Sequence, residues 1–285
     1  MKIIKPSVEI IHQEPGYNGM IRHIEKCGRT CYKSADRITE NSASKFVDSL
    51  KTLGHLSVLE HGAVYLEVPR NNDVETFFTI NPYSTIKSHP DGNTLYISTN
   101  LRVIIENELE DLLQYMVECG PFHEKRITAR FFAQIAISRE FNRHRVNSVS
   151  EESTRYVNYS KNRFGNQISL NAPSCIGNDK EFSSNFEDLC AAIKEDKLHE
   201  WDDISWWWFS NIFCETSYMK LIEKGWKPQE ARTVLPLDTN TELIHTAFIN
   251  DWKHFFLLRC DKRAHPDART LALELEKQMK ELNII

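Results

Sequence analysis

Residues 143–155 place more charge in a short stretch than a protein core can hold. The segment reads RHRVNSVSEESTR and contains three arginines, one histidine, three serines, one threonine and two glutamates. Burying these groups without partners would be too costly. The flanking segments are apolar, with Phe131–Ile137 before the charged stretch and Tyr156, Val157 and Tyr159 after it. A solvated surface is the usual role of a charge run, but packed flanks favour a binding site.

The residue types in this segment suit phosphate. Guanidinium groups bind phosphate oxygens in pairs, and hydroxyl and backbone N–H groups complete such a site. In an extended backbone, Arg143 and Arg145 would face one way and His144 the other, and Glu151 and Glu152 would likewise diverge. Such a ribbon would contact one ligand on each side. It would thereby hold two nucleotides against each other, as group transfer requires.

Composition limits the class of protein. The chain has 285 residues and a formal net charge of −5, which disfavours a generally basic nucleic-acid-binding protein. We find no apolar run of about 18 residues and expect no membrane span. The first residues lack the apolar core of a signal peptide. The chain has seven cysteines and no Cys-x-x-Cys pair, which predicts reduced thiols in a cytoplasmic protein.

Metal and nucleotide motifs of the common kinds are missing from the sequence. His23, Cys27 and Cys31 would share one helix face, but a zinc site there would need a fourth ligand from elsewhere. Packed core side chains are the favoured interpretation, and no metal site is predicted. The sequence contains no Gly-x-Gly-x-x-Gly, Walker loop or His-Glu-x-x-His. A Rossmann dehydrogenase and a P-loop enzyme are therefore disfavoured.

Apolar spacing predicts a mixture of helices and strands. The predicted helices cover residues 18–31, 42–53, 108–119, 181–193, 201–224, 251–259 and 266–282, with a further one ending near Phe141. The predicted strands cover residues 8–12, 64–68, 127–131 and 241–248, and residues 166–178 are expected to form loop and turn. Gly54 should end the second helix, and Pro228 should begin another. With no repeat or linker, the simplest expectation is a single α+β domain over residues 1–285, with a mixed sheet and long helices.

Further polar residues stand beside apolar structure. Four of them crowd the exit of the second helix: His55, Ser57, Glu60 and His61. They either belong to a site or form capping and turn hydrogen bonds. Arg232 precedes an apolar run and needs an anionic partner, either a ligand or a carboxylate such as that of Glu230. Arg259 ends an apolar helix, where it either binds a ligand or interacts with the helix C-terminus.

Together these motifs resemble the flavin-dependent thymidylate synthases. Arg143-His144-Arg145, then seven residues, then Ser153 matches the signature of that family, and the match extends to Tyr156. Three other blocks support it in the family's order: residues 54–61, 230–237 and 255–259. These blocks span most of the chain.

The resemblance implies a homotetramer of mixed α/β protomers with FAD bound where subunits meet. It implies conversion of dUMP to dTMP, with methylenetetrahydrofolate as carbon donor and NADPH as the reductant of the flavin. No enzyme cysteine attacks the uracil in this family, and no cysteine here stands in an activating sequence context. Nucleic acid and membranes are not expected partners. Two alternatives stay open, a paralogue that binds nucleotide without turnover and a nucleic-acid-binding module.

The resemblance also implies roles for particular residues. By position, the FAD contacts are Ser57, Arg143, His144, Arg145 and Glu151. The dUMP contacts are Arg143, Glu152, Ser153, Thr154, Arg155, Arg232 and Arg259. Arg259 matches the arginine thought to stabilise the N3-deprotonated uracil, since a fixed cation lowers the pKa of a nearby acidic N–H and makes C5 more nucleophilic. His55 matches a catalytic-site histidine near the flavin and the nucleotide.

The chain also departs from the family pattern. Glu140 stands where many relatives have a glutamine that contacts dUMP, and a carboxylate there would repel phosphate. Many relatives carry Asn-Ala-Arg before the last helix, whereas this chain has Ile249-Asn250-Asp251. Asn250 and His254 are therefore the expected flavin contacts in this region. Residues 70–126 and 171–200 are longer than in compact relatives and are expected to be family-variable insertions.

Overall fold

The structure is a computed structural model that describes residues 1–176 and 182–285, and it has the α+β architecture expected from the sequence. Its strands in chain order are β1 Lys2–Ile3, β2 Ser7–Ile11, β3 Ala63–Pro69, β4 Thr85–Ser88, β5 Thr94–Asn100, β6 Arg126–Gln134, β7 Ser148–Glu151, β8 Ser169–Leu170 and β9 Asn240–Phe248. Its α-helices are α1 Gly16–Thr30, α2 Ser42–Thr52, α3 Asn72–Ile80, α4 Leu101–Glu106, α5 Ile135–Phe141, α6 Phe186–Lys194, α7 Asp203–Glu223, α8 Pro228–Ala231, α9 Ile249–Arg259 and α10 Pro266–Glu281.

The chain divides into two compact units whose segments alternate along the sequence. The first unit contains Met1–Ser7, Phe132–Glu140 and Glu152–Thr241. The second unit contains Val8–Phe131, Phe141–Glu151 and Glu242–Ile285. The charged segment identified in the sequence is therefore shared, with residues 143–151 in the second unit and residues 152–155 in the first. That the whole chain acts as one catalytic domain stays a prediction.

In the second unit, an antiparallel sheet of β3, β5 and β4 supports a large apolar core. Alternate residues of β3, such as Val64 and Leu66, are wholly buried, as are Met20 and Ile24 of α1. Removal of these side chains from water is the main stabilising force for this unit. Gly54 adopts a φ of 69° just after α2, which a glycine adopts at no steric cost. The helix ends there as predicted, and the chain enters a 3₁₀-helix over Leu56–His61.

A second sheet, most of whose residues belong to this unit, has the strand order β2-β6-β9-β7. Strand β7 runs antiparallel to β9, with Val149 opposite His245 and Glu151 opposite Leu243. The rings of Phe131 and Trp252 pack 6.5 Å apart, and Trp252 donates its indole N–H to the Ile127 carbonyl at 3.0 Å. Helix α9 is thereby fixed against β6. This contact places Arg259, the last residue of α9, in a defined position.

The first unit has its own core. Val157, Ile168, Leu170 and Tyr218 are wholly buried in it. Strand β8 pairs in parallel with β1, so the predicted loop over residues 166–178 is wrong at Ser169–Leu170. That pairing joins segments far apart in sequence and leaves no local pattern. Residues 177 and 178 of the same prediction, and residue 181 at the start of another, lie outside the described residues.

The predicted helix over residues 108–119 is also wrong. Its middle forms a 3₁₀-helix over Glu110–Tyr115, and an isolated bridge then joins Met116 to Leu66 of β3. The Val117 N–H donates to the Tyr65 carbonyl at 2.9 Å rather than to a carbonyl four residues earlier. Pairing with the strand edge thus takes the backbone groups that would have continued a helix. The remaining predicted helices and strands are present, with shifts at their ends.

Candidate functional site

Residues 142–147 form a turn between α5 and β7, and we call them the arginine turn. Backbone hydrogen bonds from the His144 N–H to Phe141 and from the Asn147 N–H to His144, at 3.0 and 3.1 Å, bend the chain. The extended backbone on which the sequence argument was conditional is therefore found only from Ser148, where β7 begins. The predicted separation of side chains is nonetheless present, since Arg143 and Arg145 are exposed and His144 is buried.

His144 joins the arginine turn to the end of α9. Its ring centroid lies 4.8 Å from that of Phe255, and its Nε2 atom accepts a hydrogen bond from Nε of Arg259 at 3.0 Å. Burial first, then the charges of Arg259 and His254, lower the pKa of His144 to about 4. The imidazole is therefore neutral near pH 7, as an acceptor at Nε2 must be. Its proton is then on Nδ1, and the ring fixes the orientation of the Arg259 guanidinium.

A second buried histidine, which the sequence did not single out, lies behind the turn. His245 is 0% exposed, and burial followed by His144 lowers its pKa to about 3. Its Nδ1 lies 3.0 Å from Nδ2 of Asn147, and its Nε2 lies 3.4 Å from Oδ1 of Asn142. The Asn142 amide in turn donates to Oε2 of Glu151 at 3.0 Å. The carboxylate predicted to contact FAD is thus connected to the turn.

The predicted dUMP residues of the first unit begin where β7 ends. The carboxylate of Glu152 is buried and accepts a hydrogen bond from the Tyr159 hydroxyl at 3.0 Å. The Ser153 carbonyl accepts the backbone N–H groups of residues 156 and 157, both at 3.0 Å, and its Oγ accepts the Arg155 N–H at 3.3 Å. A tight turn therefore presents the side chains of Thr154 and Arg155.

Arg232 reaches the same turn. Its Nη1 donates to Oγ1 of Thr154 at 3.2 Å, and its side chain is exposed. The Glu230 carboxylate accepts the Lys227 N–H at the start of α8, at 2.9 Å. Arg232 and Thr154, which are 78 residues apart in sequence, thus form a donor and hydroxyl pair. Such a pair is suited to the oxygens of a phosphate.

The crowded helix exit divides into exposed and buried members. His55 and Ser57 are exposed at the start of the 3₁₀-helix. The Glu60 carboxylate accepts from Arg102 at 2.7 Å. His61 is wholly buried, and its ring nitrogens lie 2.8 Å from the Thr246 hydroxyl and 2.9 Å from the Ser150 hydroxyl. Burial holds the pKa of His61 well below its ordinary value. Glu60 and His61 therefore make hydrogen bonds within the protein, which is the structural role considered for them above. The exposed His55 and Ser57 can contact a ligand.

The remaining predicted residues are less constrained. Glu140 is half-buried near the end of α5, in the segment assigned to the first unit. Asn250 and His254 are exposed on α9, and the Asn250 N–H lies 3.3 Å from a carboxylate oxygen of Glu124. The ring of His254 lies 6.2 Å from that of His144. His254 therefore lies near the arginine turn, and Glu140 precedes that turn by two residues.

The possible zinc ligands of α1 are occupied by contacts with neighbours. Nε2 of His23 lies 2.9 Å from the Thr128 hydroxyl and 3.7 Å from the Cys27 sulfur. Burial raises the pKa of Cys27, which disfavours the thiolate that a metal requires. Across residues 1–176 and 182–285, no cluster of three or more potential metal-ligating side chains occurs. Nor does any described helix have the length and apolar character to cross a membrane.

A separate cleft opens in the second unit. Its volume is about 220 Å³, and its lining includes Gln13, Tyr65, Cys119 and Arg126. The arginine turn and Arg259 lie outside the lining of this cleft, as do the exposed His55 and Ser57. Of the residues that the sequence singled out at the helix exit, the buried His61 does line the cleft.

Comparisons with known proteins agree on one family. The profile of the family described as thymidylate synthase complementing protein matches residues 93–283, which is more than half of the chain. A flavin-dependent thymidylate synthase of Geobacter sulfurreducens is 28% identical over 145 residues, covering 51% of this chain and 52% of that protein. One of Synechocystis sp. is 26% identical over 175 residues, covering 58% of this chain and 73% of that protein. The chain therefore spans about half to three quarters of these relatives.

One solved structure is also similar. It is described as a UMP/dUMP methylase, PolB, from Streptomyces cacaoi bound with 5-Br dUMP. The likeness has a TM-score of 0.43 and 16% sequence identity, and it covers 99% of this chain and 93% of that one.

Proposed function

Because the chain belongs to the thymidylate synthase complementing protein family, we propose that it converts dUMP to dTMP in a flavin-dependent reaction. Methylenetetrahydrofolate would give the carbon, and NADPH would reduce the flavin. One observation carries the proposal. Two exposed arginines, Arg143 and Arg145, flank a buried neutral histidine that orients a third arginine, Arg259. The arrangement offers fixed positive charge both to phosphate and to an anion that forms during the reaction.

The residues of the arginine turn fit FAD. A dinucleotide carries a pyrophosphate, and the exposed guanidinium groups of Arg143 and Arg145 are suited to bind it in pairs of hydrogen bonds. Ser57, also exposed, would add a hydroxyl, and Glu151 would accept hydrogen bonds at the end of β7. Asn250 and His254 on α9 are the proposed contacts beyond the turn. When bound, reduced FAD supplies the hydride of the reaction.

We assign the nucleotide monophosphate to the turn after Glu152. Ser153, Thr154 and Arg155 offer hydroxyl and guanidinium donors there, and Arg232 adds another guanidinium through its contact with Thr154. Hydroxyl donors beside guanidinium groups make a site for a phosphate dianion. Tyr159 holds the buried Glu152 carboxylate, which fixes the start of this turn. We assign Glu140 to dUMP only because it stands at the position of the family glutamine.

Arg259 is the proposed electrostatic catalyst. The neutral His144 accepts its Nε–H, so the guanidinium plane is held before substrate arrives. A fixed cation beside the N3–H of uracil lowers its pKa, and the anion that results is more nucleophilic at C5. The neighbouring Cys260 is a poor alternative nucleophile. Burial first, then Glu276, raises its pKa to about 11, so it is not a thiolate at neutral pH. His55 is the proposed second member of the catalytic centre.

We further propose a cytoplasmic homotetramer with active sites where subunits meet. The family resemblance supports the tetramer, and the spacing of the cysteines supports a reducing compartment. Gel filtration with light scattering would test the assembly. A monomer at micromolar concentration that still formed dTMP would contradict shared active sites.

The decisive experiment measures cofactor and product together. Purified protein should be yellow, release FAD on denaturation, and form dTMP from dUMP with methylenetetrahydrofolate and NADPH. Arg143→Ala should lose flavin, whereas Arg37→Ala, which changes an exposed arginine of another segment, should retain it. A colourless protein that cannot be reconstituted with FAD would contradict the proposal. FAD binding without dTMP formation, in vitro or in a thymidine-requiring host, would instead indicate a paralogue without turnover.

A further inference from the structure

His245 lies where a polar side chain is expensive. It stands on β9 opposite Val149 of β7, is wholly buried, and packs its ring 6.1 Å from Phe131 and 6.5 Å from Trp252. A phenylalanine would fill such an aromatic environment without any hydrogen-bonding requirement. A buried imidazole is tolerated only where both ring nitrogens find partners.

Both nitrogens do find partners, and a single tautomer satisfies them. Nδ1 accepts from the Asn147 amide at 3.0 Å, and Nε2–H donates to Oδ1 of Asn142 at 3.4 Å. Burial keeps the ring neutral at physiological pH, so the acceptor at Nδ1 is available. The Asn142 amide then donates to Glu151 at 3.0 Å. The hydrogen bonds therefore form a series with one direction. Asn147 donates to His245, His245 donates to Asn142, and Asn142 donates to the Glu151 carboxylate.

The two asparagines stand at the two ends of the arginine turn. Between them lie only residues 143–146, which include both exposed arginines. One rigid ring on a central strand therefore ties the beginning and the end of the turn to the same point. If those ties were lost, residues 143–146 would sample more conformations, and a ligand would have to order them on binding.

We propose that His245 is a positioning residue that clamps the arginine turn through Asn142 and Asn147 and so presents Arg143 and Arg145 to the pyrophosphate of FAD. The choice of ligand rests on the proposed function, whereas the clamp itself does not. His245 touches no ligand in this role and acts through the conformation of the turn. Loss of two neutral hydrogen bonds should weaken FAD binding by about tenfold.

Three variants test the clamp. His245→Phe keeps a ring in the aromatic environment and removes both hydrogen bonds. His245→Gln keeps one acceptor and one donor and should recover part of the affinity for FAD. His23→Phe is the matched control, because it removes another buried histidine of the same unit, one bonded to Thr128 instead of the turn. The order of FAD affinity should be wild type, then Gln, then Phe, with His23→Phe within about twofold of wild type.

A second measurement needs no cofactor. Trypsin cuts after Arg143 and Arg145 only when the turn opens, so brief digestion of FAD-free protein should cleave there about tenfold faster in His245→Phe than in wild type or His23→Phe. If His245→Phe is cleaved faster than wild type but wild type does not bind FAD, the clamp is supported and FAD is not the ligand of the turn. Wild-type cleavage rates and wild-type FAD affinity in His245→Phe would overturn the clamp. A lower affinity for FAD in His245→Gln than in His245→Phe would also overturn the clamp. Packing of the ring, and not its hydrogen bonds, would then be what His245 contributes.

Discussion

Buried neutral histidines should make this protein unusually sensitive to mild acid. Burial lowers the pKa of His23 and of His144 to about 4 and that of His245 to about 3, against an ordinary value of 6.5. Between those values the unfolded chain binds protons that the folded chain does not. The stability that each histidine contributes is therefore fully present above about pH 6.5 and is lost as the pH falls towards 4.

The size of the effect follows for His23, which is 4% exposed and bonded to the Thr128 hydroxyl. One unit of pKa difference corresponds to about 1.4 kcal/mol, so a shift from 6.5 to about 4 lowers the free energy of unfolding by roughly 2 kcal/mol between pH 7 and pH 5. The pKa values of His144 and His245 are lowered in the same direction, so both residues add to the loss of stability on acidification.

Urea unfolding at pH 7 and pH 5, followed by tryptophan fluorescence at one protein concentration, measures the loss directly. His23→Phe should be less stable than wild type at pH 7, because Thr128 loses a partner. Its further loss on acidification should be smaller than that of wild type by about 2 kcal/mol. His199→Phe is the control, since its side chain is 74% exposed and its surroundings change little on unfolding. If His23→Phe and wild type lose the same free energy between the two pH values, His23 does not titrate as described.

Three further predictions concern the proposed site. Arg259→Ala should keep FAD and secondary structure but form dTMP at least about 100-fold more slowly in single-turnover assays, and unimpaired turnover would refute its electrostatic role. Arg143→Ala should release FAD about tenfold more readily in equilibrium dialysis, because one charge-assisted hydrogen-bonding group is gone; full occupancy would contradict that assignment. Thr154→Val should raise the KM for dUMP about fivefold with little change in kcat, because Arg232 loses the hydroxyl that it contacts. Thr154→Ser keeps that hydroxyl and should behave as wild type.

Local patterns predicted the long elements well. Helix α7 and strand β9 begin and end within two residues of the predicted limits, and Pro228 and Pro266 stand at the first positions of their helices. These elements carry apolar periodicity or a start signal in their own sequence. Strands β4 and β5 of residues 70–126 were not predicted, because β4 is defined by pairing with β5 and β5 by pairing with β3. That pairing leaves little trace in any single segment.

The site residues also differ in whether a local sequence pattern could predict them. The exposed arginines of residues 143–145 and the contact of Arg232 with Thr154 involve residues singled out in the sequence. His245 was missed, since an isolated histidine in an apolar strand gives no local sign that its partners are asparagines about a hundred residues earlier. The register between β7 and β9 makes that connection. No spacing rule within one segment could have supplied it.

The neutral histidines at the arginine turn have an electrostatic consequence. Several arginines elsewhere in the second unit are bound by carboxylates, as Arg29 is by Glu25 and Arg102 is by Glu60, each at 2.7 Å. At the proposed site, an imidazole orients Arg259, and an imidazole with two amides holds the turn. A carboxylate in place of His144 would orient Arg259 equally well but would offset the positive charge that an anionic ligand needs. The two buried histidines therefore provide rigidity without adding negative charge of their own, and the acid sensitivity predicted above is the consequence of using them.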